Sequence, residues 1–205
     1  MRRKNPFTLV ELLVVIVVIA ILASLMLPAI ATAGRKAKET KCRALIKGLE
    51  LAIGQFDQTY GYLPVDAREL DQGDVQVDYT RLLRDLTGDY EGTGYAVRNT
   101  RKLKFLDVDN NKEYKDPWGQ NFYVLLDGNY DGKITAGDPA ADESLNRLVR
   151  GMAANVTEVN GTYLIYSLGA DKAPVDINIA PTEKSQRDNI YSVDTDWSQS
   201  GHTPK

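Results

Sequence analysis

Twelve residues in the middle of the chain carry oxygen at a spacing that suits a hard cation: Asp127-Gly-Asn129-Tyr-Asp131-Gly132-Lys133-Ile134-Thr135-Ala-Gly-Asp138. Side-chain oxygens stand at positions one, three and five, glycine at six, an aliphatic residue at eight and an acid at twelve. That is the spacing of an EF-hand-type calcium loop. Ca²⁺ takes six to eight oxygens, alternate side chains turn inward, and Gly132 allows the sharp turn between them. Lys133 would add its backbone carbonyl, and Thr135 its hydroxyl or a water. Asp138 stands where such loops usually carry Glu, so the last arm is shorter. A strand, not a helix, is expected ahead of the loop. The same residues also read as an Asx- and Gly-rich hairpin turn that binds nothing. Asp107-Val-Asp109-Asn-Asn111 repeats the alternation without an acid at its far end.

Other chemistries lack their residues. The 205-residue chain has one cysteine, Cys42, and one histidine, His202. A single cysteine excludes an internal disulfide and a thiolate zinc cage. Any Ser-His-Asp, Cys-His or His-metal centre would have to use His202, the fourth residue from the C-terminal end. Acids and bases are plentiful, yet spacing alone gathers no acid/base set, and no enzyme is expected. Lys+Arg 25 against Asp+Glu 28 gives a net charge of -3. That argues against broad nucleic-acid binding, which needs a basic face to displace counterions from phosphates. A mean hydropathy of -0.33 rules out a polytopic membrane protein.

Glu11 is the second residue whose setting is chemical. Basic Met1-Arg-Arg-Lys4 is followed by an apolar run from Phe7 to Leu27, interrupted only by Thr8, Glu11 and Ser24. Twenty-one helical residues span roughly 30 Å, a bilayer's hydrocarbon thickness. The preceding positive charge predicts a cytoplasmic N-terminus with the rest of the chain across the membrane. A cleaved secretory signal is the competing reading, with Ala29-Ile30-Ala31 as its nearest cleavage pattern. A carboxylate in a spanning helix costs roughly 2.5–3.5 kcal/mol near the centre and less near an end. Glu11 therefore either snorkels to water or waits for a partner cation inside an assembly. Pro28 removes one helical hydrogen bond and crowds the preceding turn. It predicts a kink or local melting, or else simply the end of the membrane helix.

Helix is predicted to continue from Ala31 to Phe56. Cys42, Leu45, Ile46, Leu49, Ala52, Ile53 and Phe56 recur at three- and four-residue steps and form one apolar stripe. Arg35, Lys36, Lys38, Glu39, Lys41, Arg43 and Lys47 lie elsewhere on the helix, as a solvated face or one that meets headgroups or an acidic neighbour. Gly48 and Gly54 each weaken the helix by about 1 kcal/mol relative to Ala. Tyr60-Gly61-Tyr62-Leu63-Pro64 ends it. A short helix is predicted over Tyr79–Leu86, with Asp78 as N-cap and Gly88 past its end, then a loop over Gly88–Gly94. Strands are predicted at Asn121–Leu126, Thr162–Leu168 and Asn189–Val193, with a short helix over Ser144–Arg150.

Two sets of residues carry a family resemblance. Pro6-Phe7-Thr8-Leu9-Val10-Glu11-Leu12-Leu13-Val14-Val15, after a basic leader, resembles the N-terminal signature of type IV pilins and of type II secretion pseudopilins. Asp116-Pro117-Trp118-Gly119-Gln120, Ser167-Leu168-Gly169-Ala170-Asp171, Asp188-Asn189-Ile190 and Trp197 narrow the likeness to major pseudopilins of type II secretion. Residues 65–115 and 127–161 look like this chain's own elaborations.

The resemblance implies an α+β pilin fold: a long N-terminal helix, kinked near Pro28, packed on a small antiparallel β-sheet with calcium-binding loops. It implies four parts: a leader (1–6), a transmembrane and filament-core helix half (7–27), an amphipathic helix half (28–60) and a periplasmic globular domain (61–205). A prepilin peptidase would cut between Pro6 and Phe7 and methylate the new amine. Pro6 stands where the family usually has Gly, sometimes Ala. Glu11 would then pair with the Phe7 amine of a neighbouring subunit. The partners implied are copies of the chain itself, the peptidase, minor pseudopilins, the inner membrane, and an assembly platform with its ATPase; no nucleic acid is expected. Calcium is carried over to Asp171, Asp188 and Asn189, with Asp176 as a substitute ligand. The expected function is a structural subunit of a secretion pseudopilus. A type IV pilus or DNA-uptake pilin is one alternative, and a non-polymerising, single-span calcium-binding protein is the other.

Overall fold

The computed structural model describes residues 9–65, 75–90, 97–108, 113–135, 158–170 and 190–192. Helix α1 runs from Leu9 to Tyr60, 52 residues without a break. It passes through Pro28. Gly61 closes it in the left-handed conformation (φ 74°), with its N–H donating to the Asp57 carbonyl at 2.7 Å. A left-handed residue is nearly cost-free only for glycine.

The chain divides into two compact units, Met1–Thr40 and Lys41–Lys205. In the first, the described side chains are exposed almost throughout, Leu9 at 80%, Met26 at 61% and Ile30 at 64% among them. Among the described residues no helix is long and apolar enough to cross a membrane. The continuously described side chains of residues 9–24, apolar except for Glu11 and Ser24, cover about 24 Å at 1.5 Å per residue; Phe7 and the side chains of Leu25 and Leu27 lie outside the description.

The second unit holds the core. Cys42, Ile46, Leu49, Ala52, Ile53 and Phe56 of α1 are each at most 2% exposed, and Leu45 packs beside them half-buried. Strands β1 (Val75–Gln76), β2 (Tyr123–Leu126), β5 (Tyr163–Ser167) and β6 (Ile190–Tyr191) form one antiparallel sheet in the order β1-β2-β5-β6. Strands β3 (Lys133–Thr135) and β4 (Glu158–Asn160) pair separately, also antiparallel. Val124, Leu126, Ile165 and Ile190 of the sheet join the α1 stripe in one apolar cluster. Burying each such aliphatic side chain contributes about 1.5–3 kcal/mol. The expected α+β architecture, a long N-terminal helix with a small antiparallel sheet, is thus present.

Helix α2 (Tyr79–Thr87) adds Leu82 and Leu86 to the same core. The Asp78 carboxylate caps it by accepting from the N–H groups of Thr80 (2.9 Å) and Arg81 (3.3 Å), and left-handed Gly88 (φ 72°) ends it. Both caps stand where the sequence predicts them. Gly48 now has a reason: a Cβ there would lie 2.6 Å from the Tyr114 hydroxyl oxygen, which donates to the Leu45 carbonyl at 2.9 Å. Gly54 faces open space, and nothing in the structure explains it. The three expected strands correspond to β2, β5 and β6, somewhat trimmed. The sequence reading does not include β1, β3 or β4. The expected Ser144–Arg150 helix lies outside the described residues.

Candidate functional site

Glu11 lies in the first turn of α1. A helix start leaves backbone N–H groups without intrahelical acceptors, and a carboxylate there is stabilised by about 0.3–1 kcal/mol at an exposed site. Around it, Leu12, Leu13, Val14 and Val15 are 51–62% exposed. A carboxylate is therefore set within an uncovered apolar surface. Pro6 and Phe7 lie outside the described residues, as does the Pro28 side chain.

The structure brings the first half of the acidic loop together. Asp127 follows β2 and is 1% exposed. Its Oδ1 accepts from the Asp131 N–H at 3.2 Å and its Oδ2 from the Gly132 N–H at 2.8 Å. Asn129 Oδ1 accepts from the same Asp131 N–H at 3.1 Å. Asp131 in turn accepts from the Lys133 N–H at 2.9 Å and from the Asn129 amide at 3.1 Å. Tyr130 (φ 58°) and Gly132 (φ 80°) are both left-handed, so the chain curls around these side chains. The result is an Asx-turn hairpin that leads into β3. Its oxygens suit a hard cation as well: a carboxylate oxygen has two lone pairs, and each N–H here takes one. Among the described residues, no three His, Cys, Asp or Glu side chains gather as a metal group; this loop supplies two acids and an amide. The Thr135 side chain and Asp138 lie outside the description, as do Asp171, Asp176, Asp188 and Asn189. Of the alternating set at 107–111, Asp107 is exposed and paired with Lys104 at 2.5 Å, while Asp109 and Asn111 lie outside.

The Tyr130 ring fastens the loop elsewhere. Its hydroxyl accepts from the Leu63 N–H at 2.8 Å, across 67 residues of sequence. The loop thereby touches the turn that closes α1.

Two further motif segments meet in the core. Asp116 opens the Asp-Pro-Trp-Gly turn and is 5% exposed. Its Oδ1 accepts from the N–H groups of Trp118 (3.0 Å) and Gln120 (2.7 Å). Its Oδ2 accepts from the Ser167 hydroxyl at 2.7 Å, and that hydroxyl oxygen accepts from the Gly169 N–H at 3.1 Å. One buried carboxylate thus organises both the turn before β2 and the turn after β5. Trp118 packs half-buried against the core.

Comparison with known proteins places these motifs. Residues 1–27 match the family described as prokaryotic N-terminal methylation motif. Type II secretion system core protein G of Aeromonas hydrophila is 32% identical over 133 residues, covering 65% of this chain and 80% of that protein. The chain belongs to the type II secretion system core protein G family, the major pseudopilins. The core protein G of Vibrio cholerae serotype O1 is 29% identical over 62% of this chain and 75% of its own length. That of Escherichia coli K12 is 26% identical over 71% and 94%. No solved structure matches.

Within this pseudopilin, one polar cluster escapes the sequence reading. Asn99 is 0% exposed. Its Oδ1 accepts from the Tyr60 hydroxyl (2.5 Å) and the Leu103 N–H (2.9 Å). Its amide donates to the carbonyls of Asp85 (2.9 Å) and Leu103 (2.6 Å). Beside it, buried Asp85 accepts from the Tyr90 hydroxyl at 2.5 Å and pairs with Arg98 at 3.0 Å. These bonds pin the segment after α2 of the core protein G fold to the end of α1. Only the Asn-Thr-Arg composition at 99–101 hints at a turn there, and nothing local names its partners.

Proposed function

We propose that this core protein G pseudopilin is made with the leader Met1–Pro6, cut before Phe7 and methylated on the new amine by a prepilin peptidase. Phe7–Leu27 anchors it in the inner membrane with the leader cytoplasmic and residues 61–205 periplasmic. The chain then polymerises into a pseudopilus that supports protein secretion, alongside minor pseudopilins and an ATP-driven assembly platform. The single supporting observation is Glu11 in the first turn of a helix whose surrounding apolar side chains are uncovered. Copies that bury those side chains against one another must also neutralise the carboxylate. The Phe7 amine of an adjoining copy does so, because two opposite charges buried together avoid most of the cost either bears alone. The subunit itself performs no bond chemistry in this reading.

Calcium is the proposed ligand of the globular domain. Asp127, Asn129, Asp131 and Asp138, with the Lys133 carbonyl and Thr135, would hold it in one loop, and Asp171, Asp188 and Asn189 in another. Bound there, the ion cross-links a turn that has no disulfide to fix it.

N-terminal mass spectrometry of the protein from native membranes tests processing. A chain beginning with methylated Phe7 is expected, and one cut after Ala31 rejects the reading. Pro6→Gly is expected to raise the processed fraction, since proline's locked φ and missing N–H make a stiff substrate. Glu11→Ala tests assembly: cross-linked multimers should fall several-fold while the monomer level in the membrane stays unchanged. Multimers formed equally well without the carboxylate would reject the pairing.

A further inference from the structure

Charge is sharply divided along this chain. Residues 31–47 carry six basic residues, Arg35, Lys36, Lys38, Lys41, Arg43 and Lys47, against one acid, Glu39, a net +5. Residues 48–205 carry 16 basic and 26 acidic residues, a net -10. The overall -3 conceals this division. All six basic side chains are exposed on α1, Lys47 at 79% even though it pairs with Glu50 at 2.6 Å.

We infer that this basic belt is a docking surface for the acidic globular unit of a second copy of the chain. The inference rests on the polymerisation proposed above and adds what sets the fit between subunits. The 48–205 parts, at -10 each, repel one another when packed side by side. The belt has the largest excess of basic residues beyond the leader, ahead of the shorter run Arg98, Arg101, Lys102 and Lys104 within the acidic part, and every subunit brings one. A +5 belt set against a neighbour's -10 part offsets much of that repulsion and penalises registers that bring belt to belt. Exposed acids after residue 47, Asp78 and Asp107 among them, provide the opposite charge. An anionic lipid surface would attract the same belt, but it would leave the repulsion between the globular units unrelieved.

The test uses the processed chain, beginning at Phe7, in nanodiscs of neutral lipid. Self-association is followed by sedimentation and cross-linking at low, intermediate and high NaCl, for wild type and for a variant with Arg35, Lys36, Lys38 and Lys41 all changed to Gln. Wild-type association is expected to fall about tenfold or more as salt screens the contact. The variant should associate several-fold less at low salt and lose most of that dependence, while a variant exchanging Lys and Arg at the same positions keeps wild-type behaviour. Association that is strong but insensitive to both salt and the Gln substitutions overturns the docking surface and leaves polymerisation standing. No association of wild type at any salt overturns both. A Gln defect that appears only in discs of anionic lipid assigns the belt to the membrane and likewise overturns the inference.

Discussion

At the scale of single residues, the same few side-chain types have opposite duties here, and their surroundings decide which. Glu11 is a carboxylate among uncovered apolar side chains, whereas Asp116 is a carboxylate whose oxygens are occupied by two backbone N–H groups and a hydroxyl. The first stands on an exposed face of α1 and the second is locked inside the core. Cys42 shows the same logic for a thiol. It is 0% exposed on the core face of α1, and burial pushes its pKa up to about 11, with the Ser167 hydroxyl opposing slightly. The thiolate is the reactive form, so the folded protein should resist disulfide-exchange reagents at pH 7–8. One thiol per chain should react quickly in guanidinium chloride and at least a hundredfold more slowly without it. Fast reaction of the native protein would show that the α1 core face opens. The place of Cys42 was legible because it recurs in a stripe of seven apolar positions. Its contact with Ser167 was not, because nothing in spacing pairs a helix residue with a strand end 125 positions away.

Elements were readable where periodicity or caps were long enough to repeat. α1 and α2 carry helical spacing, and Asp78 and Gly88 mark the ends of α2 by their own chemistry. β2 and β5 are runs of aromatic and aliphatic residues. β1 has two residues and β3 and β4 three each, too short for alternation to register; their pairing is set by the elements beside them. The link between α2 and the following segment was equally hidden, since it depends on Asp85, Tyr90, Arg98 and Asn99 meeting across a loop. That link should respond to pH. Burial raises the Asp85 carboxyl above its ordinary value, against the opposing pull of the Tyr90 hydrogen bond and of Arg98. An acid with a raised folded value binds its proton more tightly in the fold than in the unfolded chain. Its contribution therefore favours the fold fully below about pH 4, the unfolded value, and is lost as pH rises through the folded value. Urea unfolding of wild type and Asp85→Asn should show the wild type's relative stability growing as pH falls from 7 toward 4. A relative stability that shrinks over that range would mean that Arg98 outweighs burial and holds the carboxyl low.

For the whole molecule, the fold has to hold long turns in place without a disulfide and present them beside a helix that is otherwise occupied. Tyr130 ties the 127–132 turn to Leu63 at the close of α1, and Asp116 ties the turn before β2 to the turn after β5 at one end of the sheet. The oxygens of Asp127 and Asp131 satisfy backbone N–H groups, so hydrogen bonds within the chain give the turn a set shape. Pre-shaping lowers the ordering cost of binding. A ligand that binds only the folded chain stabilises it by about 2.7 kcal/mol when present at a hundred times its dissociation constant. Millimolar CaCl2, the range of weak extracellular sites, should accordingly raise the thermal midpoint of the full chain by several degrees and slow its proteolysis, and EDTA should reverse both. Asp131→Ala should remove the share due to the 127–138 loop, Asp171→Ala the share due to the loop after Ser167-Leu168-Gly169, and the double variant the whole effect. MgCl2 at equal concentration separates a calcium site from screening of the -10 globular charge, since screening acts alike for both ions. A gain that Mg²⁺ reproduces and the double variant retains would reduce both loops to hydrogen-bonded turns.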